Sequence, residues 1–193
     1  MVNWQNWGRS ERTEFTELLQ PASLGELRET VEQARSLGRK IRPIGAGHSF
    51  SGIGVPVDQQ VDLSRIRGLL ASDVEKKQVT LAAGTHLWEI PALLAPLGLA
   101  MENLGDIDRQ TIAGAISTGT HGTGVAFGGI ATQVRALKIV TGTGELVILS
   151  PELTPDIWAG AVVGLGALGI VVEVTLQCVD AFEIIAAERS LPL

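Results

Sequence analysis

Apolar residues recur at helical spacing after Ser23, where Leu24, Leu27, Val31 and Ala34 share one face until Gly38 interrupts it. Ser23 with Glu26 three residues on forms a capping box, so the pattern predicts an amphipathic helix over about 24–37. Arg39 to Ile44 then alternates basic and apolar residues like a half-buried strand and runs directly into Gly45-Ala46-Gly47-His48-Ser49-Phe50-Ser51-Gly52. Gln60 to Leu63 reads as a short strand, Ser64 to Asp73 as a connector, and Gln78 to Ala83 as a further strand. Thr85 is placed to cap a helix carrying Leu87, Ile90, Leu93 and Leu94, with Pro91 in its first turns and Gly98 as its stop. Residues 105–124 are rich in Gly, Thr and Ser and predict a loop with one brief helical turn from Ile112 to Ser117. Val134 to Val140 and Glu145 to Leu149 flank Thr141-Gly142-Thr143-Gly144, a hairpin by its turn chemistry.

A helix from Pro155 to Val163 and a strand from Gly169 to Val179 follow. Within them, Ile157 to Val172 holds no charge, and Gly160 and Gly164 have the spacing of a helix-pairing motif. The stretch is shorter than the ~18 to 20 residues of a membrane span, and Gly164, Gly166 and Gly169 interrupt it. A buried helix followed by a buried strand is expected, with no membrane span. Strands and helices that do not alternate regularly predict an α+β fold, with a first lobe over 1–72 and a second over 73–193.

Composition narrows the partners. In 193 residues, 45% hydrophobic and 19% charged, disorder and low complexity are excluded. A net charge of -6 with no basic run argues against nucleic acid. Cys178 is the only cysteine, so no internal disulfide or multi-cysteine metal site is possible, and a reducing cytoplasm is expected. The first residues contain no apolar segment of a signal peptide. Glycine is abundant, with 23 residues, and backbone amides in glycine turns can converge on a phosphate because no β-carbon blocks the approach.

Two known phosphate loops do not match. The dinucleotide fingerprint fails because Phe50 holds its third glycine position, and no Gly-Lys-Ser or Gly-Lys-Thr exists for a nucleotide triphosphate loop. Each glycine-rich stretch alone reads equally as an ordinary turn. Two of them, both poor in charge and each with a central histidine, His48 and His121, point to a shared ligand. His48 between Gly47 and Ser49 has little to pack against and reads as a nucleophile or base, its plain alternative being a surface histidine without a task. His121 and His86 read as hydrogen-bonding residues, and no metal site is predicted.

Five segments together resemble a family. Asn6-Trp7-Gly8, Arg42-Pro43-Ile44-Gly45-Ala46-Gly47-His48-Ser49-Phe50, Glu102-Asn103-Leu104-Gly105-Asp106-Ile107-Asp108, the Thr111 to Gly122 stretch and Gly166-Ala167-Leu168-Gly169-Ile170 occur in order. They resemble the FAD-binding domain of the sugar-lactone and polyol oxidases (gulonolactone, arabinonolactone and alditol or xylitol oxidases), flavoproteins of the vanillyl-alcohol oxidase or p-cresol methylhydroxylase type. The resemblance implies a two-lobed α+β domain with FAD extended in the cleft between the lobes. It places Gly45, Ala46, Gly47, Ser49 and Phe50 along the diphosphate and makes His48 the covalent link to the 8α carbon of the flavin. Asp106, Thr111, Gly114, Ser117, Thr118, His121 and Gly122 would follow the cofactor from the other lobe, with Ile170 at the adenine end. Arg42, Pro43, Gly105, Gln110 and Gly169 complete the implied cofactor-binding set. The implied reaction is hydride transfer from an alcohol carbon of a sugar lactone or polyol to the flavin, with oxygen, giving hydrogen peroxide, or another acceptor completing the cycle. The family's C-terminal substrate domain is expected to be missing here, so the site would need that cap or a partner chain. No general base is assigned. The alternative is a module that binds flavin without turnover of its own.

Overall fold

The computed structural model describes residues 2–187 and 189. The chain opens with an antiparallel hairpin, β1 (Val2–Gln5) and β2 (Arg12–Leu19), followed by helix α1 (Leu24–Ser36) and strand β3 (Ile41–Ile44). Ser23 caps α1 as the spacing predicts, its hydroxyl accepting from the Glu26 amide at 3.2 Å, and Gly38 ends the helix region with φ +65°. Strand β4 (Gln59–Asp62) then inserts between β2 and β3, parallel to both, and completes a four-stranded sheet of order β1-β2-β4-β3. The hairpin was not marked by hydropathy, because β2 carries Thr13, Glu14 and Glu17 among its apolar residues.

A second, five-stranded sheet is antiparallel throughout. It has the order β5-β6-β10-β8-β9, from β5 (Leu69–Asp73), β6 (Gln78–Ala82), β8 (Val134–Val140), β9 (Leu146–Leu149) and β10 (Ile170–Gln177). Helix α2 (Ile90–Leu94), the short pair β7 (Leu99–Ala100) and β11 (Val179–Asp180), helix α3 (Ile112–Ser117) and helix α4 (Pro155–Val162) surround it.

Strand β10 alternates strictly, with Ile170, Val172, Val174 and Leu176 buried. That one face serves two cores. Val174 and Leu176 join the large cluster built from β6, β8, α2 and α3, whereas Ile170 and Val172 join Leu27 and Val31 of α1 and Val61 of β4. On its other face Thr175 meets Thr80, and Glu173 pairs with Lys138 at 2.6 Å. The sheets therefore share apolar contacts through β10 and α1 rather than standing apart.

Three sequence expectations are corrected. The connector expected over 64–73 contains β5, an edge strand whose Leu70, Ala71 and Ser72 are exposed, so no apolar alternation signals it. Thr85 does not cap the next helix. It is buried, its hydroxyl donating to Ala82 O at 2.7 Å, while the helical segment starts at Leu87 with His86 as its cap. Helix α4 is half exposed rather than buried: only Ala161 and Val162 are buried, and Ile157 faces outward. No helix among the described residues is long and apolar enough to cross a membrane.

Candidate functional site

The two sheets meet at a backbone contact. Leu63, just past β4, and Ile66 turn against the segment after β6, where Gly84 N donates to Ile66 O at 3.1 Å and Ala83 N to Val172 O at 2.9 Å. A β-carbon on Gly84 would overlap the Leu63 carbonyl. Beside this seam lies an open cleft lined by residues of both sheets.

One wall of the cleft is the loop that β3 delivers. Pro43, Ile44, Gly45, Ala46, Gly47, His48, Ser49 and Ser51 line it. Gly47 takes φ +70°, which turns the chain and is open to glycine without strain. The amides of Ala46, Gly47, His48 and Ser49 donate to no group among the described residues. The loop is instead fixed through its carbonyls. Trp7 N donates to Gly47 O at 2.8 Å, and the side chain of Asn6, 1% exposed, donates to Ser49 O at 2.8 Å while accepting from Glu11 N at 3.1 Å.

The opposite wall is α3 and the turn before β10. Thr111 caps α3, its hydroxyl accepting from Gly114 N at 3.2 Å, and Gln110, Thr111, Ala113, Gly114, Ser117 and Thr118 face the cleft. The walls approach backbone to backbone. A β-carbon on Gly45 would sit 2.6 Å from Thr111 Oγ1 and 3.5 Å from Gly114 Cα. Leu165, Gly166, Gly169, Ile170 and Val171 close a third side, and a β-carbon on Gly166 would press to 2.8 Å from Pro43 Cγ.

Of the implied cofactor residues, the structure brings Pro43, Gly45, Ala46, Gly47, His48, Ser49, Gln110, Thr111, Gly114, Ser117, Thr118, Gly169 and Ile170 to this cleft. Arg42, Phe50, Gly105, Asp106, His121 and Gly122 lie outside its wall. Arg42 sits on β3 opposite Gln60, and Phe50 turns its ring edge onto Trp7. Gly105 and Gly122 serve a loop contact: a β-carbon on Gly122 would overlap Leu104 O, and one on Gly105 would come to 3.0 Å from Thr120 Cγ2. His121 is exposed with Nδ1 2.9 Å from Gly122 O, and Asp106 is exposed. Sequence reading missed Trp4, Gly54, Leu63, Ala83, Gly84 and Leu165, which also line the cleft. Gly84 has no local signal, since its constraint comes from Leu63 across the seam.

Among the described residues no Lys, Arg, Asp or Glu lines the cleft. His48 is the single titratable residue among those described that line it, half-buried, and partial burial pushes its pKa below the ordinary imidazole value, which favours the neutral ring. A wall of unpartnered amides with no cation suits an anionic group whose charge is held by peptide dipoles. Hydroxyls of Ser49, Ser51, Ser117 and Thr118 add further donors.

A family model described as FAD binding domain matches residues 16–150. The chain belongs to this FAD-binding family. Among its relatives, L-gulonolactone oxidase of Mus musculus is 38% identical over 191 residues, covering 99% of this chain and 43% of that protein. The L-gulono-1,4-lactone dehydrogenase of Mycobacterium tuberculosis (strain ATCC 25618 / H37Rv) is 36% identical, over 93% of this chain and 41% of that protein. The D-arabinono-1,4-lactone oxidase of Eremothecium gossypii is 37% identical, over 94% of this chain and 35% of that protein. The chain thus spans less than half the length of these curated relatives. The residues fit FAD: its diphosphate is the anion that the Ala46 to Ser49 amides are free to bind, and Gly45 and Gly114 are bare where a side chain would fill the approach.

Proposed function

We propose that this chain is the FAD-holding part of an oxidoreductase that oxidises an alcohol group of a sugar lactone, with His48 as the covalent attachment point of the flavin. The observation that carries the reading is a cleft without charged side chains among the described residues, whose first wall offers unpartnered amides on either side of a half-buried imidazole. The names of the relatives favour a sugar lactone over a polyol such as xylitol. The boundary between the lobes would fall before β5, near residue 68 rather than 72, because β5 pairs with β6 of the second sheet.

Ala46, Gly47, His48 and Ser49 would bind the diphosphate through their amides, and Thr111, Gly114, Ser117 and Thr118 would line it from α3. Gly169 and Ile170 would border the adenine end. Phe50, Gly105, His121 and Gly122 would act by shaping the two loops. Burial lowers the His48 pKa, which favours the neutral imidazole with a lone pair available. When bound, the flavin supplies the two-electron acceptor, with dioxygen or another acceptor taking the electrons onward. The sole cysteine agrees with a cytoplasmic location.

A second reading has its own support. Among the described residues the cleft presents no carboxylate or lysine as a general base, and the chain spans less than half of its relatives, so the module would bind flavin and leave turnover to residues of a cap domain or partner chain. Oxygen uptake and dye reduction with L-gulono-1,4-lactone and xylitol separate the two. The FAD-loaded chain fused to the C-terminal remainder of a relative is expected to turn over the lactone, while the chain alone retains flavin without turnover. Failure of both forms to oxidise any sugar lactone or polyol would overturn the oxidoreductase assignment.

A further inference from the structure

The turn Asn6-Trp7-Gly8 touches nothing that the function above uses except the loop holding His48, and it touches that loop on every side of the histidine. Before His48, Gly47 O accepts from Trp7 N at 2.8 Å. After it, Ser49 O accepts from Asn6 Nδ2 at 2.8 Å. The indole of Trp7 lies against the imidazole itself, with ring centroids 5.3 Å apart and planes 22° from parallel. The Phe50 ring meets the same indole edge-on at 6.1 Å and 84°, the geometry that aromatic pairs prefer. Glycine at position 8 leaves room for this ring, since a β-carbon there would stand 2.7 Å from Phe50 Cε1.

Trp7 is 60% exposed, so its ring contributes little to the core. The His48 ring makes no hydrogen bond among the described residues, and its ring contact is the stack on Trp7. The indole is the one aromatic surface lying parallel to it among the described residues.

We propose that Trp7 is a positioning residue for His48: the indole, held by the Asn6 turn and braced by Phe50, fixes the imidazole plane so that its nucleophilic nitrogen faces into the cleft. The proposal rests on the reading of His48 as the flavin attachment point. Attachment joins an imidazole nitrogen to the 8α carbon and removes one proton from each partner. The released electron pair passes to dioxygen, so each bond formed consumes one dioxygen and yields one hydrogen peroxide. A freely rotating imidazole would meet that carbon less often, and misplacement by about 1 Å costs on the order of 10²-fold in such reactions.

Chain produced without flavin is mixed with FAD in air, and acid-stable flavin is followed with time in wild type, Trp7→Phe and Trp7→Ala. Affinity before attachment is read anaerobically from quenching of FAD fluorescence, and the His48 ring-proton shifts report stacking in the flavin-free chain. Trp7→Ala is expected to attach flavin about 10- to 100-fold more slowly with unchanged anaerobic affinity and with loss of the ring-current shift. Trp7→Phe, which keeps a stacking face, is expected to restore both. Attachment by Trp7→Ala at the wild-type rate would overturn the proposal, as would slowing matched by an equal loss of affinity, which is the mark of general loop damage. A wild-type chain that binds FAD but never forms an acid-stable adduct would overturn the His48 reading and this proposal with it.

Discussion

His48→Ala is expected to remove all acid-stable flavin from the chain, so that the fluorescent band expected of wild type on a denaturing gel disappears. Alanine has no nucleophile, and among the described residues no other titratable residue lines the cleft to take over. Reversible binding of FAD survives the same change, because the Ala46, Gly47 and Ser49 amides and the variant's own amide at position 48 keep their directions. Those directions are set by Trp7 N on Gly47 O and Asn6 on Ser49 O, neither of which involves the imidazole. The pH dependence of attachment follows from burial. The imidazolium is disfavoured and the pKa lies below the ordinary value of about 6.5, so the reactive neutral ring persists as pH falls through that value. Attachment rates measured between pH 5 and 8 are therefore expected to stay level past the ordinary histidine pKa and to drop only below it. A drop centred above it would mean that a neighbouring acid, not burial, governs the ring.

Gly84→Ala produces the largest expected loss of stability. The new methyl group would overlap Leu63 O and stand 2.8 Å from Ile66 O, and both obstacles are backbone, so no rotamer change relieves them. The seam between the sheets must open, which separates the core shared by α1, β4 and β10. The expected cost is about 4 kcal/mol or more, a large part of the ~5 to 15 kcal/mol that holds a domain folded. Gly142→Ala is the matched control, since nothing lies within 4 Å of its added β-carbon, and it should fall within about 0.5 kcal/mol of wild type. Urea midpoints read both. Equal midpoints for the two variants would show that the seam is not close-packed at Gly84. Because Gly84 also lines the cleft, any folded Gly84→Ala chain should bind FAD more weakly as well.

The legible parts of the fold are those governed by local rules. Helix α1 was readable from its cap and apolar stripe, and the hairpin of β8 and β9 from its turn chemistry around Gly142 and Gly144. Helix α3 was readable from Thr111 followed by Ile112, Ala115 and Ile116, all buried in the structure. Strand β5 was not readable because an edge strand buries too little to impose alternation, and the first hairpin was not because Thr13, Glu14 and Glu17 interrupt the apolar residues of β2. Thr85 misled because a threonine before an apolar helix looks like a cap. Here its hydroxyl serves the seam instead, accepting from Gly68 N at 2.8 Å.

The candidate site divides in the same way. The loop of β3 and the α3 segment announce themselves by glycine and hydroxyl density. The Gly105 and Gly122 segments carry a similar composition, yet their glycines are required by the approach of one loop to the other near Leu104 and Thr120. Composition reports that the backbone comes close to something. Only the fold says whether that something is a ligand space or another strand of the same chain. Asn6, the buried side chain that aims the first loop, had no signal beyond its place in a short motif.

The central claim is that peptide amides, not side-chain charges, hold the cofactor by its diphosphate. It is tested most directly by titrating the His48→Ala chain with FAD and with riboflavin, which shares the ring system and lacks the diphosphate, and following both by calorimetry at low and high salt. Saturable binding of FAD, weak or no binding of riboflavin, and little change with salt is the predicted result. Equal affinity for the two ligands, or no binding of FAD, would contradict it.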